Sequence, residues 1–543
     1  GQQVRDFLVL IERPDLLEDS TLAMVAGRMM RFQEWNDIVH AWTTRHSTAE
    51  IVERAAALRI PVAHINNGAT VLDHEQLVER GVFVEDPIGS FKHPRPPYLI
   101  DGRSPPKARR APGLGEHTGR IEKRLRTSPL PTGTGSLPLA GLRILDLTNW
   151  WAGPAATHML ATLGADVIHV ESIQRPDGAR YVGGNIVGHE QWWECSPYFL
   201  HANSNKRGLT LNLGDPAGLD LMKQLIAKSD ALVENFSPRV VEQFGLAWET
   251  VHSLNPRLIM VRMPAFGLSG PWRNHVGFAQ TMEQMTGLAW VTGHPDDQPR
   301  IQRGPCDPLA GMHAAFALLI ALADRDSSGV GRLVEVTMVE GALNAAAEQV
   351  VEYTANGRLM QRIGNRSVDA APQGLYPCRG SEQRLALSIE SEEQWRSLKR
   401  VLGNPTWAES TAFASRSRRL ASHDQIDMEL RRWTADRDLP TTIEELIAAG
   451  VPAAPVYDPR STSRHPQMSA RGFFEDCHHP AIGTHALPTV PFRFASVDRW
   501  LRSPAPTIGQ HNHEILSELL GLSDAEIDDL RTREIIGDRP KGI

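Results

Sequence analysis

The sequence has 543 residues, 41% hydrophobic and 22% charged, with a formal charge of −7. That length exceeds what one hydrophobic core serves and predicts two or more domains. The acidic balance argues against a nucleic-acid partner but leaves room for a local basic patch that meets a phosphorylated cofactor. Cys195, Cys306, Cys378 and Cys477 stand far apart with no CxxC pair, which fits a reducing compartment and offers no zinc site or disulfide framework. The longest apolar run, Ala314 to Ala323, is about half a bilayer span and reads as a buried helix. With no signal peptide in view, a cytoplasmic protein without a membrane partner is the expectation.

The first organisational signal along the chain is a repeat. Residues 42–83 include WTTRHSTAEIVERAAALRIPVAHI and LDHEQLVERGVF, and residues 433–474 include WTADRDLPTTIEELIAAGVPAAPV and SRHPQMSARGFF. Trp42 and Trp433, Pro61 and Pro452, His74 and His465, and Gly81 and Gly472 are each 391 positions apart (433 − 42). LGEHT at 114–118 matches IGQHN at 508–512 after a small insertion. Equal offsets imply a tandem duplication. Residues 1–120 then read as the C-terminal part of a first copy whose front half has no counterpart before residue 1. Residues 121–137, rich in Pro, Gly, Ser and Thr, read as a linker, and a whole second copy follows.

The second copy opens on LRILDL (142–147), a short apolar strand, then PAATHMLATLG (154–164), a helix with Pro154 in its first turn and Gly164 at its end. ADVIHVE (165–171) is the next strand; AGLDLMKQLIAKS is an amphipathic helix, and ALVEN and RLIMVRM are further strands. The alternation predicts an α/β large domain with a doubly wound, Rossmann-like parallel sheet over 138–370. A smaller α+β domain is expected over 371–480, with 481–543 returning to the large domain. Neither GxGxxG nor GxxxxGK[ST] occurs, and Gly183-Gly184 stands in an irregular stretch, which disfavours a nicotinamide or P-loop enzyme. Asp307-Pro308, ahead of an apolar helical run, reads on its own as an N-cap followed by Pro at the first helical position.

Several segments, in order, resemble class III CoA-transferases, the family of formyl-CoA transferase, carnitine CoA-transferase and α-methylacyl-CoA racemase. They are LAGLRILDLTNWWAGPAATHMLATLGADVIHVE, NSNKRGLTLNL (203–213), DALVENFSP (230–238), FGLAWETVHSLNPRLI (244–259), FGLSGPW (266–272) and RGPCDPLAGMHAA (303–315). The resemblance covers 138–540, and residues 1–120 resemble the family's C-terminal part. It implies two interlocked subunits with the active site where they meet, hence a homo-oligomer or an intrachain pseudo-dimer.

The resemblance also makes Asp307 the catalytic carboxylate. With an ordinary pKa near ~3.9 such a group is ionised at neutral pH and needs no general base to attack a thioester. Acyl-aspartyl anhydride and aspartyl-CoA thioester intermediates would carry CoA from an acyl-CoA donor to a small carboxylic acid. Cys306 is the adjacent competitor, but a neighbouring carboxylate disfavours its thiolate.

Family CoA-binding positions fall on Trp151 and Ala152, on Leu211, Asn212, Leu213 and Gly214, on Asn235 and Phe236, and on the stretch from His275 to Phe278. Two family arginines are replaced by Ser172 and Gln243, so charge for the CoA phosphates is expected from Lys206, Arg207 or Arg175. No metal is expected. The racemase branch needs a histidine where this chain has Gly277-Phe278-Ala279, so transfer is preferred to racemisation.

The doublets Trp150-Trp151 and Trp192-Trp193 suggest an aromatic pocket, with Trp150 and Trp151 at the substrate. An onium acid of the carnitine, betaine or dimethylsulfoniopropionate type is one alternative acceptor, with a lyase or hydratase step to follow. Packing of these rings in the core, and a degenerate duplicate acting as a scaffold, are the others.

Overall fold

Short runs of Val, Ile and Leu with side chains alternating in direction can bury both faces of a parallel sheet. Seven such strands do so in the computed structural model, which describes residues 2–23, 25–121, 137–183 and 188–543. Most of the expected linker 121–137, and Gly184, lie outside the described residues. The strands are β1 (Tyr98–Ile100), β2 (Arg143–Asp146), β3 (Asp166–Glu171), β4 (Arg207–Thr210), β5 (Ala231–Glu234), β6 (Ile259–Arg262) and β7 (Leu333–Val336). Their order across the sheet is β1-β7-β6-β5-β2-β3-β4. All neighbours are parallel except β1, which runs antiparallel to β7 with Leu99 opposite Glu335.

Alternate residues feed two cores. Ile144, Val167, Val233 and Val261 face one, with Leu160 of α1 (Ala152–Thr162) and Leu318 of α4 (Cys306–Ser328). Leu145, Ile168, Leu232 and Met260 face the other, with Leu221 and Leu225 of α2 (Pro216–Ala227) and the C-terminal Ile515 and Leu516. The expected doubly wound sheet is therefore present. α4 is long and apolar enough by composition to cross a bilayer, but its Ala310, Ala314, Leu318 and Ala321 are buried in the first core.

The chain divides into two compact units, one of residues 1–290, 301–360 and 473–543, the other of 291–300 and 361–472. The smaller unit has an antiparallel three-stranded sheet, Gln373–Pro377, Arg384–Ser388 and Ala453–Pro455, with helices packed around Trp395, Leu398, Ile426 and Leu446.

The leading segment is knitted into the large unit. Gln76, buried, donates to the carbonyls of Phe266 (2.5 Å) and Ser269 (2.8 Å) and accepts the Trp272 N–H at 2.7 Å. Arg80 pairs with Glu335 and Glu340, each at 2.7 Å, and Arg95 with Glu340 at 2.8 Å, all but sealed from solvent.

The repeated segments also fold alike. Helices Thr48–Ala57 and Leu439–Ala448 begin and end 391 positions apart (439 − 48 and 448 − 57). Ser47 and Asp438 cap them from the same offset. His74 and His465 each accept an N–H two residues ahead at the next helix start.

Candidate active site

The strand order reverses direction between β2 and β5, so the loops leaving their carboxyl ends stand at the usual ligand position in such sheets. Asn149 and Asn235 tie the two loops together. The Asn149 N–H donates to Asn235 Oδ1 (2.9 Å), and Asn235 Nδ2 returns a bond to the Asn149 carbonyl (2.8 Å). Trp150 and Trp151 follow directly. Trp151 precedes α1 and meets Tyr198 edge-on at 5.7 Å. Trp150, 47% exposed, meets Phe278 edge-on at 5.8 Å.

Asp307 stands on the first turn of α4, three residues after Gly304, which packs against the Trp151 ring. The helix starts two residues earlier than expected, at Cys306, and Pro305 stands at the cap without a side-chain hydrogen bond. Asp307 therefore does not cap the helix, which leaves its carboxylate unoccupied by that task.

The turn before it is fixed in two ways. Gly304 has φ +148°, a conformation open to glycine, and a methyl there would lie 2.7 Å from the Trp151 ring. Glu283, buried on α3 (Ala279–Met285), accepts the N–H groups of Arg303 (2.9 Å) and Gly304 (2.7 Å). Close approach of Gly311 to the Ala152 carbonyl then packs α4 on α1.

These surroundings correct one expectation. Burial, and then the Glu283 charge, raise Asp307 to about 7, so it is only partly ionised at neutral pH. Burial, followed by Glu283 and Asp307, pushes the Cys306 thiol far above its usual range, in line with the expected disfavour of its thiolate. Replacing Glu283 by Gln is expected to lower the midpoint of the pH–rate profile by removing the second cause while leaving the first. An unchanged midpoint would show that Glu283 does not set the ionisation of Asp307.

Other expected CoA contacts lie elsewhere. Lys206 is buried, and its ammonium donates to Asp146 (2.9 Å), Thr157 (2.8 Å), Asn203 (2.8 Å) and the Pro154 carbonyl (3.1 Å). Arg207 is held by Asp166 (2.7 Å) and Glu514 (2.8 Å). Lys206 is sealed with Asp146, and the partly exposed Arg207 is matched by two carboxylates. Arg175 is exposed and has no ion-pair partner among the described residues.

Leu211, Asn212, Leu213 and Gly214 follow β4, two strands from β2; the Asn212 N–H is taken by the Ile535 carbonyl. Phe236 donates its N–H to Glu234 (2.8 Å) and packs on Phe244. His275 lies on Trp272 at 4.6 Å and lines a cavity of about 520 Å³ with His64, Glu75, Val52 and Ala56 of the leading segment. Trp192 and Trp193 pack with Ile173 and Ile508, as the core alternative anticipated. The sequence reading missed Glu283, although Ala279, Met282 and Glu283 follow helical spacing and so place an acid on an apolar stripe.

Residues 1–118 and 139–512 match the model of CoA-transferase family III. A succinyl-CoA–D-citramalate CoA-transferase of Chloroflexus aurantiacus is 32% identical over 74% of this chain and 98% of its own. A probable CoA-transferase of Mycobacterium tuberculosis is 28% identical over 96% of this chain, which spans 66% of that protein. Among solved structures, a CaiB/BaiF family protein from Brucella suis superposes with a TM-score of 0.65 at 29% identity, over 71% of this chain and all of its own.

Proposed function

Because the chain belongs to CoA-transferase family III and is a CoA-transferase, we propose that Asp307 carries CoA between two carboxylic acids as its own thioester. The carboxylate attacks the donor thioester carbonyl; a C–O bond forms, the C–S bond breaks, and CoA leaves as thiolate. The thiolate then attacks the aspartyl carbonyl of the anhydride, giving aspartyl-CoA and releasing the donor acid. An acceptor carboxylate attacks aspartyl-CoA and expels the thiolate, which takes the acceptor acyl group from the second anhydride and restores Asp307. Charge balances at every step, and no electron acceptor is needed. The amino end of α4 favours the negative charge that develops beside it.

The observation that carries this reading is a carboxylate freed from capping, three residues after a glycine turn packed against Trp151, whose loop leaves β2 at the switch point of the sheet. The named activity of the Chloroflexus relative supports succinyl-CoA as donor and a small dicarboxylic acid as acceptor. An onium acid has less support, since the second tryptophan doublet lies in the core. With Lys206 and Arg207 committed, Arg175 is the proposed contact for CoA phosphate.

The like-folded repeats and the two-part family match support a tandem protein whose leading segment is the tail of a first copy, interlocked with the second within one chain. Four free, buried cysteines support a cytoplasmic setting. The test is mass spectrometry after incubation with succinyl-CoA and hydroxylamine trapping. A label on Asp307, absent from Asp307→Ala, is expected; full turnover by the Ala protein would overturn the mechanism.

A further inference from the structure

Trp150 has φ +70°, in the left-handed region that a bulky side chain adopts only when its surroundings impose it. Two neighbours impose it. Asp177 Oδ1 accepts the Trp150 N–H at 2.8 Å, along with the Ala179 N–H at 2.9 Å. The indole lies flat against Gly178, where a methyl group would stand 2.3 Å from Cζ2 and 2.6 Å from Cε2.

Asp177 is itself out of the ordinary. It is wholly buried, it has no arginine or lysine partner among the described residues, and its Oδ2 has no hydrogen bond. His169 Nε2, also without a hydrogen bond, lies 3.9 Å from that oxygen. Nearby Arg180 is taken up by Glu171 and Glu194, and Lys206 by Asp146. A buried carboxylate without a cation is unfavourable, and burial lifts this one to about 6. What it does make are hydrogen bonds that hold the chain at Trp150 and at the short helix Gly178–Tyr181.

We propose that Asp177 and Gly178 are positioning residues that seat Trp150, and that the seated ring limits which acceptor acid reaches Asp307. The Asp177 hydrogen bond fixes the backbone, and the missing side chain at Gly178 makes room for the indole. The ring is thereby held against Phe278 with about half its surface exposed. This inference rests on the reading of Asp307 as the reacting carboxylate.

Gly178→Ala is the decisive variant. Its backbone tolerates alanine, since no left-handed φ is required there, and the new methyl meets the indole, which must shift. With succinyl-CoA as donor and a series from oxalate to citramalate as acceptors, relative kcat/KM among acceptors is expected to change about tenfold or more. Labelling of Asp307 by succinyl-CoA alone should stay within about twofold. Trp150→Ala should give the same altered ranking, and the double variant should show no further loss, because both act through one ring. Asp177→Asn, which keeps the accepting oxygen, should behave like the parent, whereas Asp177→Ala should behave like Trp150→Ala.

An unchanged acceptor ranking in Gly178→Ala, or losses that add in the double variant, would overturn the positioning role while leaving Asp307 labelled. No label on Asp307 in the parent protein would overturn the reading of the active site, and the inference with it.

Discussion

Asp307→Asn is expected to lower turnover by about 10⁴-fold or more, since covalent transfer would lose its carboxylate and the adjacent Cys306 thiolate is suppressed by its surroundings. The pH dependence of the parent protein carries the same information. With Asp307 at about 7, the nucleophilic form declines about tenfold per pH unit below that point and saturates above it. Stability moves the other way. The folded protein holds a proton on Asp307 that the unfolded chain releases at the ordinary carboxylate value. Stability is therefore lost as pH rises from about 4 to 7, and Asp307→Asn removes the loss. Because Asp307 is partly exposed, the gain at pH 8 is expected to be about 1–3 kcal/mol, read from urea midpoints at pH 5 and pH 8. A variant that is inactive and no more stable at pH 8 than its parent would contradict the burial argument.

Arg80→Met should produce the largest loss of stability, about 3–5 kcal/mol. The guanidinium sits between Glu335 and Glu340 and also donates to Ser269 (3.0 Å) and Thr337 (2.9 Å). Removing it leaves two sealed carboxylates with only Arg95 to balance them. Chemical denaturation followed by tryptophan fluorescence reads the change, and a shift below about 1 kcal/mol would mean that water enters the site. Glu335→Gln combined with Arg80→Met should recover part of the loss, because fewer charges then remain unmatched.

The parallel sheet was legible because its strands are buried on both faces, so that runs such as LRILDL and ALVEN carry a plain apolar signal. The repeat was legible from equal offsets alone. As a candidate, Asp307 was legible only through the resemblance, since its local sequence reads as a helix cap, whereas the structure begins the helix two residues earlier. The ion-pair partners of Lys206 and Arg207 were hidden from the sequence for a physical reason. A cation beside glycine in sequence looks exposed, while its actual partners, Asp146, Asp166 and Glu514, come from 60, 41 and 307 positions away. The acidity of Asp307 was hidden for the same reason. It depends on Glu283, which comes near only when α3 and the turn before α4 meet.

The two margins of the seven-stranded sheet are also closed by parts of the chain remote in sequence. On one side β1 covers β7, whose Val334 and Val336 are fully buried. On the other, Gly208 of β4 donates its N–H to the His511 ring and accepts the His511 N–H, and Thr210 donates to Asn512. A parallel sheet with an open margin invites pairing with another molecule. The leading segment thus supplies the outermost strand of the sheet, and a chain stripped of residues 1–118 would bare β7 in its place, which is expected to raise self-association whether or not Asp307 remained competent.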